Sequence, residues 1–141
     1  METSIYQAMA MRTKMSSCDN LLYMLGLLHE EGGELQGKVN KALRKKLIVF
    51  EDNQYIFKGT FEEQMTFEEE CRKELGDVCW AVAGIADVMG WELEEVMQDN
   101  LDKLADRHRR GVIDGQGDYR YIGTLDVKEA LESKKIRVWS R

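Results

Sequence analysis

Residues 29–37 read HEEGGELQG. Apolar residues recur at helical spacing on both sides of this stretch, yet it sets Gly32 and Gly33 between Glu31 and Glu34. A helix-interior glycine costs about 1 kcal/mol relative to alanine. The pattern nevertheless carries through. Met24, Leu28, Leu35, Val39 and Ala42 keep one stripe at the period of a buried helical face. One helix therefore begins near Asp19 or Asn20, either a fitting N-cap, and runs to about Lys46. Glu31 and Glu34 lie one turn apart on the flank of the stripe, with Lys38 on their face. The glycines give a ligand or a neighbouring helix close access to that face.

Working outward, residues 4–14 (SIYQAMAMRTK) make a short first helix. After Lys46, LIVFEDNQYIF (47–57) breaks the helical rhythm. Two β-branched and aromatic runs flank Glu51, Asp52 and Asn53, the pattern of a small hairpin. A third helix is expected from Thr66, where Thr66 and Glu69 fit a capping box, to Met89, with Gly90 beyond its end. A fourth covers Leu93 to Arg110 and stops at Gly111. DGQGD (114–118) is a loop; a short helix near 126–134 and an extended IRVW follow. No repeat or linker divides the 141 residues, which read as a single domain.

The third helix repeats the arrangement of the second. Phe67, Cys71, Val78, Val82, Ile85 and Met89 form its expected buried stripe, and Glu70, Glu74 and Asp77 flank it. Packing the two stripes together brings like charges to the edge of the core, where repulsion and desolvation oppose them. A divalent cation removes the conflict. Mg²⁺ prefers oxygen ligands and keeps waters, which suits a few carboxylates and a phosphate group. The bland alternative is a solvated acidic face with local partners, such as Glu34 with Lys38. On the fourth helix Val96, Met97, Leu101, Leu104 and His108 form the apolar side. Asn100, Lys103, Arg107 and Arg110 run along an adjacent strip fit to grip phosphate oxygens, although cations in a last turn also suit the helix dipole. Tyr119 and Arg120 follow the loop and either reach a base or phosphate or anchor the tail.

Composition limits the alternatives. The net charge of −6 disfavours nucleic acid and anionic membranes as main partners. The absence of proline suits a helical fold. Three cysteines without a C-x-x-C pair read as buried, reduced thiols. No signal-peptide core and no apolar run of about 20 residues is present, which points to a cytoplasmic protein. His29 and His108 are isolated and read as structural or solvent-facing.

EEGGE (30–34), ELGD (74–77) and NLDKLADR (100–107) together resemble the MazG-like, all-α nucleoside triphosphate pyrophosphohydrolases, over about residues 20–120. The resemblance implies an all-α, four-helix-bundle-like fold, here with a hairpin insertion at about 47–59 in an unusually long spacer. It implies cleavage of a (d)NTP between the α and β phosphates, giving monophosphate and pyrophosphate. Mg²⁺, with Mn²⁺ able to substitute, would be held by the residues matching the motif carboxylates, Glu31, Glu34, Glu74 and Asp77. Glu30 or Glu34 is the expected residue orienting or deprotonating the water. Lys103 and Arg107 match phosphate-contacting positions and Asn100 a site residue near them; Lys38 and Arg120 complete the expected substrate contacts. Glu70 is placed to support Glu74. The family also implies a homodimer or homotetramer, with Trp80 and Trp91 either at an interface or packed internally. The competing readings are a catalytically silent nucleotide- or metal-binding regulator and a structural helical oligomer.

Overall fold

A computed structural model describes residues 1–111; the expected loop at 114–118, the tail elements and Arg120 lie outside them. The chain divides into two compact units, Met1–Trp91 and Glu92–Arg141. The first holds helices α1 (Thr3–Met11), α2 (Leu21–Arg44) and α3 (Phe61–Val88), with strands β1 (Ile48–Glu51) and β2 (Gln54–Phe57) between α2 and α3. Helix α4 (Leu93–Arg109) belongs to the second. The architecture is mostly helical with one small sheet, as expected of the all-α fold. No helix of the described residues is long and apolar enough to cross a membrane.

Helix α2 starts where Asn20 accepts a hydrogen bond from the Tyr23 N–H at 2.8 Å, satisfying one donor of the first turn. It continues through Gly32 and Gly33 to Arg44. Helix α3 begins earlier than its sequence suggested. Thr60, not Thr66, is the N-cap, and Thr60 and Glu63 form the capping box. The same Thr-x-x-Glu pattern occurs at both places, and the helix formers between them join the earlier one to the helix. Thr66 instead sits inside α3 and donates its hydroxyl to the Glu62 carbonyl at 2.9 Å. Gly90 and Gly111 end α3 and α4 with φ of 71° and 67°, conformations that favour glycine.

The hairpin pairs Ile48 with Phe57 and Glu51 with Gln54 in an antiparallel register. Asp52 and Asn53 form its two-residue turn, both with positive φ (52° and 60°), as a turn matching the right-handed strand twist requires.

Helices α2 and α3 are antiparallel neighbours. Met24 near the start of α2 meets Gly84 near the end of α3, and Lys38 on the later part of α2 meets Glu70 and Glu74 on the earlier part of α3. Helix α1 is tied to α3 by Trp80, whose indole N–H donates to the Ala10 carbonyl and the Thr13 hydroxyl at 3.2 and 3.0 Å. Trp80 thus packs internally. Lys14 bridges Asp19 and Asp87 on the same side.

The buried face of α3 differs in part from the expected one, since Phe67, Cys71, Val78 and Ile85 of the expected stripe are half-buried. Ala81, Ala83, Gly84 and Ala86 are buried, while Val82 and Met89 stand exposed. Small residues turn toward the partner helices because they let backbones approach closely, and this displaces the larger apolar side chains outward. Cys18 is buried, Cys71 half-buried and Cys79 exposed, so the expectation of buried thiols fails at Cys79; all three are free. On α4, Val96, Met97, Leu101 and Leu104 are likewise exposed rather than core. His29 is exposed and its Nδ1 lies 2.7 Å from the Leu25 carbonyl, a local structural contact.

Candidate metal centre

The antiparallel packing of α2 and α3 sets EEGGE and ELGD side by side. Glu31 from α2 and Glu74 and Asp77 from α3 each offer a carboxylate oxygen within 4.8 Å of the other two. Two oxygens bound to one Mg²⁺ at about 2.1 Å can lie no more than about 4.2 Å apart. Small side-chain rotations close that difference, so the three residues fit a hard divalent ion with open positions for water or phosphate. Glu31 and Glu74 are half-buried and Asp77 is exposed. Glu34 stands exposed on the next turn, outside this group, and Glu30 is exposed as well.

The electrostatics match the geometry. Glu31 holds its proton above the ordinary glutamate range, first because burial disfavours its charge, then because Asp77, Glu34, Glu30 and Glu74 repel it. Lys38 answers only part of this charge. Its ammonium is 3.2 Å from Glu74 and 3.8 Å from Glu70, and the Glu74 contact is the chief cause holding it protonated beyond the usual lysine range. Lys38 therefore pairs across the helix interface and not with Glu34 one turn away. Glu70 and Glu74 share this lysine.

A pH dependence follows. Glu31 has a raised folded-state pKa, so its contribution to stability is fully present below the unfolded value and is lost as pH rises through the folded one. Metal binding needs the ionised form. The rise in melting temperature produced by Mg²⁺ is thus expected to shrink as pH falls from neutral toward the glutamate range, and to lose this dependence in Glu31→Gln. Thermal melts with Mg²⁺ and with EDTA between pH 7 and 5 check it; an increment flat with pH in the wild type contradicts it.

On α4, Asn100 and Arg110 are exposed, Lys103 is half-buried and Arg107 is buried. Arg110 donates to Asp106 at 2.7 Å, and Arg109 lies 3.6 Å from the same carboxylate. These local pairs engage Arg110, so the expected cationic strip is not uniformly directed outward.

A mostly helical protein whose two facing helices bring three carboxylates together offers a divalent ion a site of fitting donors. Residues 20–112 match the model of the MazG nucleotide pyrophosphohydrolase domain, and the chain belongs to that family. It is also similar to the "Gene 37 protein" of Mycobacterium phage L5, 36% identical over 128 residues that span 85% of this chain and 100% of the relative. No solved structure matches significantly.

Proposed function

We propose that the protein is a Mg²⁺-dependent nucleoside triphosphate pyrophosphohydrolase that cleaves the α–β phosphate bond to release a nucleoside monophosphate and pyrophosphate. The convergence of Glu31, Glu74 and Asp77 from the two motif segments carries this reading. The three carboxylates would hold Mg²⁺, which when bound neutralises phosphate oxygens and lowers the pKa of a coordinated water. The chain's own residues supply the rest. Glu34, exposed one turn from Glu31, and Glu30 beside it are the candidates to accept the proton of the attacking water. Lys38 neutralises Glu74 in the free protein and is available to shift onto a phosphate when a metal ion takes over that carboxylate.

Incubation with Mg²⁺ and a panel of ribo- and deoxyribonucleoside triphosphates tests the reaction. Monophosphate and pyrophosphate in equal amounts, lost with EDTA, are the expected products. Orthophosphate release, or turnover that survives EDTA, overturns it.

Gly32 and Gly33 enter the same reading. A Cβ at either position meets nothing within 4 Å, so no packed helix among the described residues accounts for them and the space beside them is open. Replacing both with alanine is expected to raise the stability of the free protein by about 2 kcal/mol and to weaken Mg²⁺-nucleotide binding. Titration showing unchanged affinity in the double variant removes the glycines from the site.

The proposal extends to self-association, with the protein working as a homodimer or homotetramer in the cytoplasm. Leu75 and Val82 on the exposed side of α3 and Met89 at its C-cap repeat every seven residues, at 52%, 37% and 40% exposure. An apolar line of that period on a long helix suits a second copy of the same helix. Sedimentation of the purified chain reads its subunit number.

A further inference from the structure

A cavity of about 320 Å³ opens between the later part of α2 and the first turns of α3. That is the small end of the range for ligand sites, enough for one ring system with its sugar. Lys38 and Glu70 belong to this cavity and to the margin of the acidic cluster alike. The cavity therefore adjoins the candidate metal centre, with Lys38 and Glu70 between the two.

Its two walls carry opposite charge. Lys38, Lys41 and Lys45 form a row on α2, and Glu62, Thr66 and Glu70 repeat at every fourth position on α3. Lys41, Lys45 and Glu62 have no ion-pair partner among the described residues. Glu63, also at the cavity, is already engaged, since its carboxylate accepts the Thr60 N–H at 2.8 Å. A free anion is disfavoured here because the acidic wall repels it. A neutral ring with acceptors on one edge and N–H donors on another satisfies both walls.

Leu47, at the foot of the hairpin, lies in the floor. Leu47 donates its N–H to the Ala42 carbonyl at 2.9 Å and accepts from the Lys58 N–H at 2.6 Å. A Cβ on Gly59 would stand 2.6 Å from the Phe57 ring, 2.7 Å from the Glu63 carboxylate and 3.0 Å from the Leu47 side chain, so a larger residue there would push these side chains aside. Phe57 in turn packs on Phe67, ring centroids 5.9 Å apart. Leu47, Ala42 and Phe67 thus present a fixed apolar surface under the charged walls.

We propose that this cleft is the nucleobase subsite and that it selects guanine, an inference resting on the reading of the neighbouring carboxylates as the polyphosphate site. Guanine offers O6 and N7 as acceptors for a lysine ammonium. Its adjacent N1–H and N2–H₂ donors match a carboxylate, which accepts only. The amines of adenine and cytosine each stand beside a ring acceptor and the N3–H of uracil lies between two carbonyls, so none of these bases offers Glu62 two adjacent donors. The hairpin insertion is then a specificity element.

The test binds GMP, AMP and UMP to the full chain with Mg²⁺ present, followed by methyl and backbone NMR shifts. GMP is expected to perturb Leu47, Ala42 and Phe67 and to bind more tightly than the other two. Glu62→Gln and Lys45→Gln are each expected to weaken GMP about tenfold and to leave AMP unchanged, with melting temperature and Mg²⁺ affinity as controls on folding. Equal binding of the three nucleotides, or GMP shifts away from the cleft, overturns the inference. If triphosphates are hydrolysed while GMP binds elsewhere, the subsite fails and the hydrolase stands. If GMP binds in the cleft and no triphosphate is cleaved, the reverse holds.

Discussion

Asp77→Asn is expected to reduce Mg²⁺-dependent triphosphate hydrolysis at least about a hundredfold, the scale on which one preorganised electrostatic group acts in a transition state, while leaving the free protein as stable or more so. The two effects have one origin. Asp77 is the largest charged contributor to the proton-holding tendency of Glu31, after burial itself. Removing its charge relieves repulsion in the free protein. It also takes away one of three oxygen ligands that converge within 4.8 Å, and the remaining pair holds a divalent ion less well. Asp77 is preferable to Glu74 for this test because Glu74 also anchors Lys38 at 3.2 Å, so its loss changes two things at once. Pyrophosphate release and melting temperature, measured on the same samples, separate the outcomes. A variant with lowered stability and proportionately lowered activity would show Asp77 to be structural.

The opposition between stability and activity also explains what the sequence disclosed. Carboxylates at helical spacing beside an apolar stripe are visible without coordinates, because α2 and α3 each keep one period through the motif. Their convergence needed only that the stripes face one another, and Glu31, Glu74 and Asp77 do meet. Lys38 was harder. Local spacing pairs it with Glu34, but the facing helix offers two carboxylates at once, and the tertiary contact prevails. The rotation of α3 was legible only in part, since periodicity judged by large side chains selects Val82 and Met89 over Ala81 and Gly84. A close helix crossing is written in the small residues, which carry little hydrophobic signal. The start of α3 was ambiguous for a different reason: two equivalent capping patterns precede the same helix, and spacing alone does not rank them.

Met24→Ala is expected to cost about 2–5 kcal/mol, the range for emptying a buried methionine site, against a total stability of order 5–15 kcal/mol for a natural domain. The reason lies at the crossing of α2 and α3. Among the described residues Met24 is the largest side chain that is fully buried, and much of the remaining buried apolar set is alanine. Its sulfur occupies the space over Gly84, where an added Cβ would stand 2.5 Å from Sδ and 3.1 Å from Cε. Gly84→Ala alone is therefore an overpacking change, costing about 1–3 kcal/mol. The double variant separates packing from helix propensity. With Met24 shortened, the methyl group added at position 84 enters vacated space, so the two costs should combine to less than their sum by an amount readable in denaturant titrations. Strict additivity would mean that Met24 does not seat on Gly84. The same crossing holds the faces of α2 and α3 in register two to three turns away, where Glu31, Glu74 and Asp77 meet. Variants that loosen it should accordingly lose Mg²⁺-induced stabilisation along with intrinsic stability, whereas Asp77→Asn loses the first and keeps the second.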